Sequence, residues 1–494
     1  MLKPLSAVRW NFTTAAHLLN RAGFGGPPSE IEQVVELGPD QAVAQLVDFE
    51  KTPDATANPE WAKPDPEKVK RFQAMRQAGD EERRKLQREE QQLQRQHIME
   101  LRRWWLQRMA KGPRPLQEKL TLFWHGHFAT SVEKVREAYL LWRQNELFRR
   151  LAAGNWLEML IEVGKDPAML IYLDQAQSRK QHPNENFARE VMELFALGEG
   201  HYTEKDISEA ARALTGWTLD QTRQRFAYRV FLHDDGEKTV FGQTGNFDGE
   251  DVLEQIVIQP QAARFITAKL WNYFAGEMPS KDLNTALAEI FRQNGNNFKP
   301  VLRAMFRSEE FHAPSVIRNQ VKSPVQWLVG TVRVLESELP PPMVCWGLTR
   351  NLGQDLFAPP NVKGWDGGLT WITTNNLLAR YNEAAALVQG DMSMLAGMNP
   401  GIGNANPNRM REIQNRIRDN RPPRVDVKKI FTEKERTDKE ALIAALEKRL
   451  LQSRLKAKQE QALREYLDSQ GELDEGDILG AIRLVISTPE YQLT

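Results

Sequence analysis

The sequence predicts a mainly α-helical fold, a multi-helix globular bundle that carries one small β-hairpin insertion. Two observations support this prediction. Apolar residues recur at spacings of three and four through several segments from Leu116 to Leu219, which is the periodicity of amphipathic helices. A short stretch at 225–241 alternates instead, as a half-buried strand does. The helical segments are much the longer part, so they decide the fold class.

The composition narrows the class of protein further. Hydrophobic residues make up 41% and charged residues 27% of the 494 residues, which is typical of a globular protein. The 66 basic residues are balanced by 66 acidic ones, so the positive excess expected of a nucleic-acid-binding protein is missing. The single cysteine, Cys345, excludes an internal disulfide, and no apolar run is long enough to span a membrane. We expect a soluble protein with no nucleic-acid partner.

The N-terminal part divides into two segments. Residues 1–50 predict a helical hairpin, because Thr13 or Thr14 can cap a first helix and Gly23–Gly26 interrupts the pattern. Residues 51–112 predict a proline-containing linker followed by a charged helical arm. Apolar positions are sparse in the arm, so we interpret it as a solvated surface helix; a partner-binding coiled coil is the alternative.

The rest of the chain divides into four segments. Residues 113–338 predict the helical core, which contains the hairpin near 225–241 with its turn at Asp235-Gly236. Residues 339–394 predict a loop region rich in Pro, Gly and Trp, followed by a helix. Residues 395–432 predict a mobile polar segment, and 433–494 predict C-terminal helices.

The first candidate site is the polar helix at 183–193. At about 100° per residue, Asn186, Arg189, Glu190 and Glu193 fall on one stripe of that helix. The functional hypothesis is that this stripe lines a pocket, with the carboxyl groups as acid, base or metal ligand. The alternative is a surface stripe with ordinary ion pairs between residues four apart.

The next helix adds further candidates. It begins with a capping pattern at 203–206 and carries Glu209, which we expect to face Arg189 across the helix pair. Carboxylates beside aromatic rings are the combination that sugar chemistry uses. The predicted catalytic residues are Glu190, Glu193, Glu209 and Arg189. The predicted substrate-binding residues are Asn184, Asn186, Arg212, Trp217 and Trp365, with Trp371 as a further stacking platform.

A second candidate site is built on histidines. His125 and His127 share a face only in an extended segment, so metal binding requires a break at Gly126 and a third ligand. His233 at the predicted hairpin tip, Asp234 or a glutamate is available as that ligand, and a divalent metal is the cofactor that such a set implies. Core or capping histidines are the alternative interpretation.

The familiar catalytic motifs are missing from the sequence. There is no phosphate-binding loop, no Gly-x-Ser-x-Gly, no His-Glu-x-x-His, no calcium-binding loop and no Cys-x-x-Cys. The classes of enzyme that such motifs define are therefore disfavoured.

Motifs along nearly the whole chain resemble those of the bacterial "domain of unknown function 1800" family, DUF1800. The resemblance lies in 16–25, 123–128, 183–190, 211–217, 233–236, 360–365 and 487–491. It implies a helical fold. Members of the family are often exported and are encoded beside a sulfatase-like family of unknown function, so the resemblance implies a role in the envelope or in extracellular polymer processing, with the sulfatase-like protein as a partner.

Three functional hypotheses follow. The first is a hydrolase or lyase that acts on a polysaccharide or another polymer through the carboxylates of the 183–217 helix pair. The second is a metal-dependent enzyme that uses histidine and glutamate ligands. The third is a non-enzymatic envelope protein that binds or assembles a partner. A periplasmic or exported location is expected if a signal was removed, and a cytoplasmic one otherwise.

Overall fold

A computed structural model describes residues 2–390 and 425–494. Most of these residues are helical, and the strands of this part of the chain form two short antiparallel pairs. The predicted fold class, mainly α with a small β insertion, is therefore confirmed. In the same ranges, the structure contains no helix that is both long enough and apolar enough to cross a membrane.

The N-terminal helices α1 (Phe12–Ala22) and α2 (Pro28–Val47) pack against each other. Asn11, rather than a threonine, caps α1, because its side-chain oxygen accepts hydrogen bonds from the backbone of Thr13 and Thr14. The helix α2 is kinked at Gly38, which has a φ of 72°.

The charged arm is two helices, α3 (Lys68–Gln77) and α4 (Asp80–Lys111). The prediction of a solvated surface helix is correct for α3 and the first half of α4, which are mostly exposed. It is wrong for the second half of α4, where the few apolar residues of the arm are concentrated and buried. These buried residues are Ile98, Leu101, Trp104, Trp105, Leu106 and Met109. The arm is thus anchored in the body of the protein at one end.

Seven helices follow before the first strand. They are α5 (Pro115–His127), α6 (Val132–Val135), α7 (Ala138–Arg150), α8 (Trp156–Gly164), α9 (Pro167–Tyr172), α10 (Glu185–Glu190) and α11 (Glu204–Ala213). The helix α10 continues without interruption as a π-helix at Val191–Ala196. The polar stretch at 183–193 therefore spans a change from α to π geometry.

The β insertion differs from its prediction in strand pairing. The strands β1 (Trp217–Leu219) and β2 (Phe226–Tyr228) form one antiparallel pair, and β3 (Lys238–Val240) and β4 (Gln243–Gly245) form another. The two segments predicted to pair with each other therefore pair with outside neighbours instead. Between them, Val230–Leu232 forms a turn of 3-10 helix, which ends the alternation.

The remaining helices lie on the two sides of the segment that the structure does not describe. Before the gap they are α12 (Gly249–Val257), α13 (Pro260–Ala275), α14 (Lys281–Gln293), α15 (Phe298–Arg307), α16 (Pro324–Val334), α17 (Pro342–Asn351) and α18 (Thr374–Gln389). After it they are α19 (Val427–Ile430), α20 (Glu433–Thr437), α21 (Lys439–Leu446), α22 (Ala457–Ser469) and α23 (Glu475–Ile486). The predicted mobile segment is 395–432, and its residues 395–424 lie outside the described residues. Val427 and Ile430, near its end, are buried.

A buried charge network joins three of these helices. Glu118 of α5 accepts hydrogen bonds from Arg108 of α4 at 2.8 Å and from Arg149 of α7 at 2.7 Å. The indole of Trp105 donates a third, at 2.9 Å. Burial alone would raise the pKa of Glu118, but the two arginines hold it below its ordinary value. The carboxylate is therefore ionised and fixes the arm to the core.

Candidate functional site

The start of the polar helix is set by Asn184. Its side-chain oxygen accepts a hydrogen bond from the backbone of Asn186 at 3.0 Å, and its amide donates to the carbonyl of Leu173 at 3.1 Å. Asn184 is thus an N-cap that also ties α10 to the end of α9. Asn186, which the sequence places on the polar stripe, is exposed.

Arg189 does not pair with the residue expected. Its guanidinium donates to both carboxylate oxygens of Glu204 at 2.8 Å and lies 3.3 Å from Glu185. Glu204 begins α11, and Glu209 follows five residues later, so their side chains leave that helix about 140° apart. This rotation removes Glu209 from the reach of Arg189. The pairs that form are at the surface, where ion pairs contribute little stability.

Glu209 and Arg212 connect α11 to the β insertion. Glu209 accepts hydrogen bonds from the backbone of Thr239 and from Arg212, both at 2.9 Å. Arg212 also donates to the carboxylate of Asp234 at 2.8 Å. The polar atoms of both predicted site residues are therefore engaged within the fold.

Glu190 and Glu193 lie in a different environment. The carboxyl of Glu190 is half-buried and has no hydrogen bond or salt bridge within residues 2–390 and 425–494. Burial, and then the charge of Glu193, raise its pKa above the ordinary value. Glu193 instead accepts a hydrogen bond of 2.9 Å from the hydroxyl of Tyr202. Burial and this bond raise the pKa of Tyr202 to about 12, so the hydroxyl keeps its proton at neutral pH.

The π-helix that follows Glu190 is held by side chains from other helices. The carbonyl of Leu194 accepts a hydrogen bond of 2.9 Å from Lys269, and the carbonyl of Phe195 accepts one of 3.0 Å from Nε2 of His127. The amino group of Lys269 also lies 3.3 Å from Nδ1 of His127. Carbonyls at a helix end have no partner within the helix, and these two side chains supply it.

The three predicted metal ligands lie in separate places. Nε2 of His125 accepts a hydrogen bond from the backbone of Phe357 at 3.0 Å, and Nδ1 of His233 lies 2.9 Å from the carbonyl of Thr215. The helix α5 runs through Gly126 without the break that metal binding by His125 and His127 requires. No group of three or more His, Cys, Asp or Glu side chains that could hold a metal ion is found in the described ranges.

The two predicted stacking platforms differ in exposure. Trp217 is 3% exposed and packs edge-on against Phe226, so its ring has no free face. Trp365 is partly exposed and lies 5.6 Å from the ring of His125, centroid to centroid. Trp371, the further platform considered, is 7% exposed. Of the three rings, only that of Trp365 is open to a ligand.

The loop that carries Trp365 rests directly on the end of α5. A β-carbon added to Gly364 would lie 2.1 Å from the carbonyl oxygen of Gly126, so only glycine fits there. The segments 123–128 and 360–365, far apart in the sequence, are therefore in contact. A family model described as "Protein of unknown function (DUF1800)" matches residues 17–493.

The chain belongs to the DUF1800 family. The match covers nearly the whole chain, as the motifs in the sequence predict. No curated protein and no solved structure matches the chain. Both contacting motifs lie within the matched residues.

A large concave feature of this DUF1800 protein was not predicted. It is a groove of about 1290 Å³ between the arm and the body, which we call the arm groove. Its walls include Phe72 of α3, Arg95 of α4, Arg136 after α6, and Arg223 in the loop before β2. Sequence reasoning missed it because its walls come from segments distant in sequence. The sequence feature that could have indicated the groove is the cluster of basic and aromatic residues in the arm. A solvated surface helix has the same composition, so this feature alone does not predict a groove.

The charges of Glu190 and of the groove residue Glu133 both act on Tyr172. Burial, and then the charges of these two carboxylates, raise the pKa of Tyr172. Glu133 lines the arm groove, and so does Lys134, whose amino group is 6.0 Å from the centre of the Tyr172 ring. None of the predicted catalytic residues lines the groove itself.

Proposed function

We propose that this DUF1800 protein is a hydrolase or lyase that acts on a polysaccharide, with Glu190 as the general acid and Glu193 as the general base. The observation that carries the proposal is the contrast between these two carboxyl groups. Glu190 is half-buried, unpaired within the described chain and shifted towards its protonated form, whereas Tyr202 donates a hydrogen bond to Glu193. When two neighbouring carboxyl groups lie in different environments, their pKa values differ, and one can act as an acid while the other acts as a base at the same pH.

Hydrolysis of a glycosidic bond would use both groups. The protonated Glu190 donates its proton to the leaving oxygen as the carbon–oxygen bond breaks. Glu193 accepts a proton from the water whose oxygen attacks the anomeric carbon. In an elimination, Glu193 would instead remove the proton from the carbon beside the sugar carboxylate, and the same leaving oxygen would take the proton of Glu190. Both routes balance without a further reactant.

The surroundings support precise placement of the pair. Both residues are on one continuous helical segment, and π-helical turns are frequent at functional sites. Lys269 and His127 fix the carbonyls that immediately follow Glu193, so the segment has little freedom to shift. Asn186 and Arg189 lie on the same stripe; Asn186 is exposed, and Arg189 is partly exposed beside Glu204. We assign them to substrate binding.

A polymer is favoured over a small substrate by the neighbouring arm groove. Sites for small molecules have volumes of about 300–1,000 Å³, and the arm groove exceeds that range at about 1290 Å³. It is also open along the surface between the arm and the body, which lets a chain continue beyond the site.

The test is a screen of the full-length protein against neutral and acidic polysaccharides. New reducing ends would identify a hydrolase, and an unsaturated product would identify a lyase. The Glu193→Gln variant should lose at least about a hundredfold in rate, because a general base contributes about 10²–10⁴-fold. Glu199→Gln, an exposed glutamate six residues away, is the control and should keep full activity. Equal activity of the two variants would remove Glu193 from the mechanism.

A further inference from the structure

We propose that the arm groove is the binding site for the substrate chain and that this chain is an acidic polysaccharide, one with carboxylate or sulfate groups. The inference rests on the proposed function for the choice of a polysaccharide, and it adds the chemical class and the place of binding. Its evidence is the arrangement of charges and aromatic rings in the groove, which is separate from the evidence for Glu190 and Glu193.

Some charges of the arm groove are neutralised within the protein. Lys68, which is buried, forms a salt bridge of 2.6 Å with Glu137, and Arg71 pairs with Asp65. The first pair joins the arm to the body, and the second lies within the start of the arm. The Lys68–Glu137 pair holds two groove walls together, and neither pair leaves a net charge for a ligand.

Three other arginines of the groove are free to bind a ligand. Arg95, Arg136 and Arg223 are exposed, and none has a salt bridge within the part of the chain that the structure describes. They come from three walls: α4, the residue after α6, and the loop before β2. Arginine binds carboxylate and sulfate groups through two parallel hydrogen bonds. Three such side chains facing one groove favour a ligand with several negative groups along its length.

The loop that presents Arg223 is fixed. The carboxylate of Asp220 accepts hydrogen bonds from Thr222 and from the backbone of Gln224. The side chain of Gln224 is 2% exposed and accepts a hydrogen bond of 3.0 Å from the backbone of Asp65 in the facing wall. Arg223 itself has a φ of 58°, which a non-glycine residue adopts only where the surroundings hold it. The backbone of Arg223 is therefore held at the groove, and its exposed side chain can reach a ligand.

Aromatic rings supply the second element of carbohydrate recognition. Phe72 is 51% exposed, and Trp61 and Tyr139 are partly exposed in the same groove. The indole of Trp61 is positioned by stacking on His97, with centroids 4.9 Å apart, and by a hydrogen bond of 2.7 Å to Glu100. Flat apolar faces that are rigidly held suit the apolar faces of sugar rings.

Carboxylates in the same walls distinguish a polysaccharide from a nucleic acid. Glu90 and Glu133 line the arm groove among the arginines. The internal sugars of a DNA strand have no free hydroxyl group that could donate a hydrogen bond to these carboxylates. Sugar hydroxyl groups, by contrast, can donate hydrogen bonds to carboxylates while the acidic groups of the chain bind arginine. The mixture of charges therefore fits a chain that carries both hydroxyl and acidic groups.

The test measures binding of the full-length protein to polygalacturonate, to neutral dextran and to single-stranded DNA by titration calorimetry. Polygalacturonate should bind, dextran should bind at least about tenfold more weakly, and the affinity for polygalacturonate should fall with added salt. Arg95→Gln combined with Arg223→Gln should weaken binding at least about tenfold. Arg84→Gln combined with Arg88→Gln, two exposed arginines of α4 outside the groove, should not.

A second pair of variants tests the aromatic faces. Phe72→Ala should weaken binding, and Phe231→Ala, which removes a ring that is 66% exposed outside the groove, should leave it unchanged. Tighter binding of DNA than of polygalacturonate, or equal effects of the groove and control variants, would overturn the inference. Binding without any cleavage would refute the proposed function alone. Cleavage that the groove variants do not affect would refute the groove inference alone.

Discussion

The hydroxyl of Tyr202 donates a hydrogen bond of 2.9 Å to the carboxylate of Glu193. Tyr202 is the last residue but one before α11, so this bond joins the π-helix to the following helix. It fixes the direction of the carboxylate that we assign as the base. Positioning of this kind matters because misplacement of a catalytic group lowers the rate without preventing binding.

The Tyr202→Phe variant should therefore lose activity through kcat. We expect a fall of about tenfold in kcat with little change in KM, since the base is still present but no longer held. The measurement is steady-state kinetics on the substrate found by the polysaccharide screen. Tyr228→Phe, at an exposed tyrosine, is the control. A change in KM alone would indicate that Tyr202 binds substrate and does not position Glu193.

The contact between Gly364 and Gly126 predicts that alanine at the two positions has opposite effects on stability. Gly364→Ala should destabilise the protein by about 1–3 kcal/mol, because Gly364 has a φ of 86° and a β-carbon would strike the Gly126 carbonyl. Gly126→Ala should be neutral or stabilising by up to about 1 kcal/mol, because the nearest atom to its new β-carbon is 3.9 Å away in Trp365. Denaturant unfolding of both variants measures this. Equal losses of stability would show that the loop does not rest on α5 as described.

The Glu118 network predicts a large loss of stability. Glu118→Gln removes the carboxylate that the buried Arg108 and Arg149 share and leaves them only Asp54 and Glu146, so the free energy of unfolding should fall by about 3 kcal/mol. Glu158→Gln, at an exposed glutamate that lies 3.6 Å from Arg150, should change it by less than about 0.5 kcal/mol. Since the folded state lowers the pKa of Glu118, its contribution is present above the ordinary pKa and is lost as the pH falls. A stability difference between wild type and Glu118→Gln that stays constant down to acidic pH would contradict this account.

The burial of His127 predicts that the stability of the fold decreases in acid. Burial, and then the charge of Lys269, hold its pKa well below the ordinary value. A histidine of this kind stabilises the fold above its ordinary pKa of about 6.5, and that contribution is lost as the pH falls. His127→Leu should cost about 1–3 kcal/mol at neutral pH, because the Phe195 carbonyl loses its donor. The cost should shrink in acid. His201→Leu, at an exposed histidine, is the control for thermal unfolding over this pH range.

The elements predicted correctly from the sequence are those that local patterns determine. The spacing of apolar residues identifies the helices, and the capping pattern at Thr203–Asp206 correctly starts α11. The strand pairing was predicted wrongly because alternation shows that a segment is a strand but not which segment it pairs with. The segment at Phe226–Tyr228 thus pairs with Trp217–Leu219 and not with the residues after Asp235.

The site was harder to predict because its contacts join distant segments. The sequence places Glu190 and Glu193 on one stripe, but the partner of Glu193 follows from how the chain turns back after Gly198 and Gly200, both in left-handed conformations. The roles of His125 and His127 depend on backbone groups more than 60 residues away, which no local pattern reveals. The burial of the second half of α4 has the same origin.

The measurement that tests the central claim most directly compares activity and stability in the Glu190→Gln variant. The raised pKa of Glu190 means that its ionised form is disfavoured in the folded protein, so its stabilising contribution is present below its ordinary pKa and lost as the pH rises. The uncharged glutamine should therefore leave the melting temperature at neutral pH unchanged or higher. If Glu190 is the acid, the same sample should lose at least about a hundredfold in kcat. Full activity, or a loss of activity that merely follows a loss of stability, would contradict the assignment.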